Sequence, residues 1–244
     1  MTAVESDGGA GGAVPMQRHI YGRRQSHRIR PARKRLLEER LPELQIHIPE
    51  DGTPLQLGEV RSQADQRCWL EVGFGGGEHL AQQAIACPDA LLIGCEPYVN
   101  GVARLLSLTQ DVDNVRVVID DARLLLKALP AASLDRIFVL FPDPWPKARH
   151  HKRRIVNPET LADMARILKP GGELRLATDI MSYARPMLAA ALADGHYEWL
   201  ADRPSDWRER PADWPATRYE EKARKAGRAP VFFRFRKQSP GADR

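Results

Sequence analysis

Cysteine is scarce in this chain. Cys68, Cys87 and Cys95 are the three present among 244 residues, and their odd number and spacing fit neither a disulfide framework nor a zinc site. Each lies in or beside an apolar segment, so they read as reduced, packing thiols. No apolar run reaches the roughly 18 residues that a membrane-spanning helix needs. The first fifteen residues, MTAVESDGGAGGAVP, lack a continuous apolar stretch and read as a flexible tail rather than a signal peptide. No internal repeat is visible. These absences predict a cytoplasmic protein with no membrane and no metal among its partners.

What is present is enough for one sizeable core, since 43% of residues are hydrophobic. The net charge of +5 is moderate but unevenly placed. Nine cations (Arg18, Arg23, Arg24, Arg28, Arg30, Arg33, Lys34, Arg35 and Arg40) crowd residues 18–40 against Glu38 and Glu39. Clustered basic charge favours phosphate through counterion release, so nucleic acid is the natural partner. No basic segment carries the strong apolar face that a membrane surface would require.

Beyond a short helix expected at 31–41, residues 42–66 are polar and turn-rich and read as a connection into the core. From residue 67 the pattern alternates. Apolar runs at 68–72, 91–95, 115–119, 134–140 and 173–177 read as buried strands, with helical stretches at 77–86, 98–109, 121–128, 158–168 and 180–193. The fourth helical stretch is expected to end at Lys169-Pro170-Gly171-Gly172. A weak strand near 196–200 and a stronger one at 231–236 are expected to pair as the far edge of the sheet. Continuous apolar strands alternating with helices predict an α/β fold built on a doubly wound, mostly parallel sheet. The implied organisation is a tail at 1–17, a basic extension at 18–66, one α/β domain at 67–237 and a tail at 238–244.

Three successive strand ends carry the same kind of chemistry. The first runs into Glu71-Val72-Gly73-Phe74-Gly75-Gly76-Gly77, where glycines let backbone approach a ligand. A dinucleotide fingerprint counted from Gly73 would need glycine at position 78, which is Glu78. A negative side chain there would repel a pyrophosphate but tolerate a cationic carrier such as S-adenosylmethionine. The second strand ends at Glu96, about 20 residues on, where an acid can accept from ribose hydroxyls. The third ends at Asp120-Asp121, and Asp121 could face an adenine amine or cap the next helix.

The most informative stretch is 141–154, FPDPWPKARHHKRR. Pro142, Pro144 and Pro146 stiffen the backbone around Asp143 and Trp145 at a strand's C-terminal end. Lys147, Arg149, Lys152, Arg153 and Arg154 follow, with His150 and His151 between them. A fixed acid beside dense basic charge suggests chemistry on a polyanion.

With these segments in view, the chain resembles the bacterial tRNA (guanine-N7-)-methyltransferase family over residues 20–236. The resemblance rests on LEVGFGGGEHL, IGCEPY, FPDPWPKARHHKRRIV, LKPGGELRLATD and TRYEEKARKAG. It implies a seven-stranded Rossmann-like methyltransferase sheet with an antiparallel edge strand. It also implies S-adenosylmethionine as donor and a variable-loop guanine of tRNA as acceptor. Glu71, Gly73, Gly75, Glu96, Asp121 and Asp143 are then expected at the cofactor, with Asp143 also the catalytic residue. Lys147, Arg149, His150, His151, Lys152, Arg153, Arg154, Asp179, Thr217, Arg218, Tyr219 and Glu220 are expected at the tRNA. Thr217 and Asp179 could each also serve as a helix N-cap. Either a monomer or a homodimer is compatible with this pattern.

Overall fold

The computed structural model describes residues 28–63 and 65–239. The cations Arg18, Arg23 and Arg24, the N-terminal tail and the last five residues lie outside that description. Two short helices come first, α1 (Pro31–Glu39) and α2 (Leu41–Leu44). Pro31 starts α1, where a missing N–H costs nothing. Strands and helices then alternate: β1 (Arg67–Val72), α3 (Glu78–Ala86), β2 (Ala90–Cys95), α4 (Val99–Leu108), β3 (Val115–Val118), α5 (Ala122–Ala128), β4 (Leu134–Leu140), α6 (Pro158–Ile167), β5 (Leu168–Thr178) and α7 (Met181–Asp194). The chain closes with β6 (Tyr197–Trp199), α8 (Ser205–Arg208), α9 (Arg218–Lys225) and β7 (Val231–Lys237).

The seven strands form one sheet in the order β3-β2-β1-β4-β5-β7-β6. Strands β1 to β5 are parallel, as their continuous apolar runs require, because both faces are buried. β7 runs antiparallel to β5 and to β6, so the expected far-edge pair is present. The strand order reverses between β1 and β4. That reversal opens a crevice at the C-terminal strand ends, where open α/β sheets hold ligands.

Two local readings change. Lys169-Pro170-Gly171-Gly172 lies inside β5 instead of only ending α6. Pairing runs from Leu134↔Leu168 to Arg136↔Glu173, so 169–172 bulges out of the ladder. Pro170 has no N–H to give the ladder, and Gly171 adopts a φ of 78°, which suits a bulge. The segment 42–66 also does more than connect. Leu44, Ile46, Leu55 and Leu57 are buried, and the Ile46 and Leu55 amides donate to the Val117 and Ala128 carbonyls. Helix α1 packs on α4 through Leu36 and Leu37, while Arg40 donates to the Gln110 and Val112 carbonyls. Part of the basic segment is therefore anchored to the sheet's edge.

Cys68 and Cys95 are fully buried free thiols, and burial pushes the Cys68 thiol up to about 11. Among the described residues, no helix is long and apolar enough to cross a membrane. No group of potential metal ligands is found among them either.

Candidate active site

A cavity of about 340 Å³ opens at the crevice predicted by the strand order. Val72, Gly73 and Gly75 line it from the end of β1, Cys95, Glu96 and Tyr98 from β2, and Asp121 and Arg123 from β3. Phe141, Asp143, Trp145 and Arg153 close it from the segment after β4, and Tyr219 from α9. Three carboxylates thus share one concavity.

The glycine turn is shaped by its backbone and held by Glu96. Gly73, Gly75 and Gly77 have φ values of 71°, 57° and 77°, a left-handed path that side chains other than glycine resist. The Gly75 amide donates to Glu96 Oε2 at 2.8 Å, and the Tyr98 amide donates to Oε1 at 3.0 Å. Burial pushes the Glu96 carboxyl above its ordinary value. The two amides oppose that shift, while the nearby charges of Asp143 and Glu71 add to it. In a dinucleotide site an amide such as that of Gly75 would face a phosphate, whereas here it is committed to a carboxylate. This is a better argument against pyrophosphate than Glu78, whose carboxylate is already paired with Arg104 at 2.7 Å.

Asp121 serves as a helix cap and also borders the cavity. It caps α5, accepting from the Arg123 amide at 2.9 Å. Glu71 does not line it. Its Oε2 lies 2.7 Å from His79 Nδ1, and both side chains are buried. Position 71 therefore faces the opposite side of β1 from Val72, as strand alternation dictates. Glu71 is thus engaged by His79 behind the cavity wall, close enough for its charge to be felt by Glu96.

The segment after β4 is tightly bent. The Phe141 amide donates to the Ala177 carbonyl at 2.8 Å, tying its start to β5. Phe141 and Trp145 have φ values of 51° and 40°, and each precedes a proline. Left-handed backbone at a bulky residue costs on the order of 1–3 kcal/mol and concentrates at functional turns. Asp143 sits exposed between these two bends.

The basic run forms a 3-10 helix over Ala148–Arg153. Its three-residue repeat places His150 and Arg153 on one side. Both meet Trp145: the His150 and Trp145 ring centres are 5.9 Å apart and nearly perpendicular, and the Arg153 guanidinium carbon lies 4.9 Å from the ring centre. Lys147, Arg149, His151 and Lys152 are exposed. Partial burial and the charges of Arg153, Lys147 and Lys152 all push His150 below its ordinary value. Arg154 is the exception in the run, because it is buried and its Nε donates to the Pro144 carbonyl at 2.8 Å.

The last expected positions also divide. Thr217 caps α9, accepting from the Glu220 amide at 3.0 Å. Tyr219 reaches the cavity, but buried Glu220 turns inward to Arg210 and Arg224. Arg218 lies over the Tyr219 ring at 5.5 Å. Asp179 does not cap α7, whose N-cap is Ile180; it pairs with Arg228 at 2.5 Å instead. Tyr98 and Arg123 line the cavity although their spacing gave little sign of it. Their one sequence signal is adjacency, each lying two residues beyond a strand-end acid.

Relatives decide what this geometry belongs to. A methyltransferase family model, Methyltransf_4, matches residues 65–232. The tRNA (guanine-N(7)-)-methyltransferase of Rhodospirillum rubrum is 48% identical over 229 residues, covering 92% of this chain and 89% of that protein. The chain belongs to the tRNA (guanine-N7-)-methyltransferase family. The enzyme of the same name from Jannaschia sp. is also 48% identical, over 91% of this chain and 95% of its own. The fold is shared more widely than the family. The 16S rRNA methyltransferase KamB superposes with a TM-score of 0.53 at 15% identity, covering 75% of this chain and 93% of that one. At that identity the likeness concerns the Rossmann-like methyltransferase fold alone.

Proposed function

We propose that this family member transfers a methyl group from S-adenosylmethionine to N7 of a guanine in the variable loop of tRNA. One observation carries the reading. Asp143 stands between a cavity lined by two further acids and an exposed run of Lys147, Arg149 and Lys152. The cavity's chemistry fits the donor. Glu96 offers an ionisable carboxylate to ribose hydroxyls, Asp121 faces the same space for an adenine amine, and Gly73 and Gly75 allow close backbone approach. When bound, S-adenosylmethionine supplies an electrophilic methyl group and carries positive charge, which three carboxylates favour.

Guanine N7 has an in-plane lone pair and no proton, so its methylation needs no general base. Asp143 is therefore assigned to electrostatics. Its carboxylate stabilises positive charge arriving on the purine and accepts from the guanine N1–H or amino group. Fixed charge of this kind is often the largest catalytic contribution. The strained turn keeps Asp143 from having to reorganise during reaction, and alignment of the reacting atoms supplies much of the rest.

Lys147, Arg149 and Lys152, with His150 and His151, are assigned to backbone phosphates near the target. Such contacts position the substrate without reading its sequence. Of Thr217, Arg218, Tyr219, Glu220 and Asp179, Tyr219 lines the cavity and is assigned the direct contact, while the other four are assigned to the substrate side around it. Selection of one guanine then depends on tRNA shape and an accessible, unstacked base. A tRNA substrate implies action in the cytoplasm.

The deciding experiment incubates the protein with S-adenosylmethionine and unmodified tRNA, followed by chemical cleavage specific for N7-methylguanine. Cleavage at one variable-loop guanine is expected. Cofactor binding without cleavage in any tRNA would overturn the acceptor assignment.

A further inference from the structure

We propose that Arg154 is a positioning residue that braces the Asp143 turn from beneath and holds no phosphate. The inference rests on the methyl-transfer reading above. By sequence, Arg154 is one more cation in a basic run. The fold instead leaves it 6% exposed, while Arg149 and Lys152 remain in solvent. Its Nε–H donates to the carbonyl of Pro144, the residue next to Asp143. Its guanidinium carbon lies over the Tyr183 ring, 4.6 Å from the ring centre.

Tyr183 is fully buried on α7, and its hydroxyl accepts from the Val156 amide at 3.0 Å. One tyrosine thus supports both the Arg154 side chain and the backbone just beyond it. The Asn157 side-chain amide donates to the Arg154 carbonyl at 2.9 Å, fixing the same residue from α6. Rigid helices therefore reach the catalytic turn through Arg154.

The turn requires such support. Phe141 and Trp145 hold left-handed backbone before prolines, a combination the proline ring disfavours. Strained backbone persists only where its surroundings over-determine it. The Phe141 amide anchors the start of the turn to β5, and Arg154 anchors its middle. Moving the guanidinium out to a phosphate would cost it both the Tyr183 ring and the Pro144 carbonyl.

The test compares kcat at saturating tRNA with the dependence of tRNA affinity on salt. Each phosphate contact contributes about 0.9 to the slope of log affinity against log salt. Arg154→Lys keeps the charge but loses the planar donor. It should lower kcat by about 10²-fold, the scale expected for misplacement by an ångström, with the parental salt slope. Arg154→Gln removes the charge and should also keep the parental slope, whereas Lys152→Ala should reduce it by about 0.9. Parental kcat in Arg154→Lys, or a slope reduced by about 0.9 in Arg154→Gln, overturns the proposal. Should the lysine variant not fold, the slope of the glutamine variant decides alone. Absence of methylation by the parent protein would instead count against the functional reading.

Discussion

The carbonyl oxygen of Gly75 occupies the space that a side chain on Gly101 would need. A Cβ built at Gly101 would lie 2.1 Å from that oxygen. Helix α4 can therefore press directly on the glycine turn, which Glu96 also holds through the Gly75 amide. Gly101→Ala should push the turn outward, destabilising the fold by about 1–3 kcal/mol through overpacking. Affinity for S-adenosylmethionine should fall in parallel. Thermal unfolding and calorimetric titration measure the two effects, and unchanged values for both would refute the packing argument.

Asp143 acts through charge in the proposed mechanism. Asp143→Asn should lower kcat by about 10²–10³-fold, the usual cost of removing one fixed electrostatic group. The parent's kcat should show no dependence on a single deprotonation near neutrality that the variant abolishes. A pH–rate profile with that behaviour would make Asp143 a proton acceptor after all.

Glu96 gives a pH dependence with a definite sign. Burial first, and nearby acids second, raise its pKa above the ordinary 4.5. The folded state then holds this proton more tightly than the unfolded chain. Its effect on stability is therefore a loss as pH rises from about 4.5 through the raised value, with no further change above. Ribose hydroxyls prefer the ionised form as acceptor, so cofactor affinity should climb over that same window. Titrations across mildly acidic pH should show the climb in the parent and a flatter profile in Glu96→Gln.

Arg153 belongs to both halves of the site, since it lies on Trp145 and lines the cavity. Arg153→Ala should weaken tRNA and cofactor binding together, whereas Lys152→Ala should weaken tRNA binding alone. Parallel affinity measurements on the two variants distinguish these patterns. A loss confined to tRNA in Arg153→Ala would return Arg153 to the solvent-facing grip.

Much of this was legible in sequence because long apolar runs must be buried. The β1 run CWLEV and the β4 run LDRIFVL are too apolar to lie elsewhere, and helices between them force parallel order. Acids at the ends of β2 and β3 then fall at the crevice by topology alone. The bulge at 169–172 was harder to read, because Lys-Pro-Gly-Gly terminates a helix whether or not the chain afterwards rejoins a ladder. The direction of Glu71 was hidden for another reason. Its place in the motif puts it beside the glycine turn, but strand alternation aims it at His79.

Sequence by itself determined the alternating α/β pattern, the acids at the strand ends and the basic run that follows a proline-rich turn. Tertiary structure decided which of those charges face a ligand. Arg149, Lys152, Arg153 and Arg154 are chemically alike and nearly consecutive, yet two are exposed, one lies on Trp145 and one is buried on Tyr183. Glu220 likewise turns into Arg210 and Arg224, while its neighbour Tyr219 meets the cavity. Side-chain direction in a short 3-10 turn and at its end depends on what packs beneath, here Trp145 under Arg153 and, from far along the chain, Tyr183 of α7 under Arg154. Residue type supplies the charge, and the surrounding fold supplies its direction.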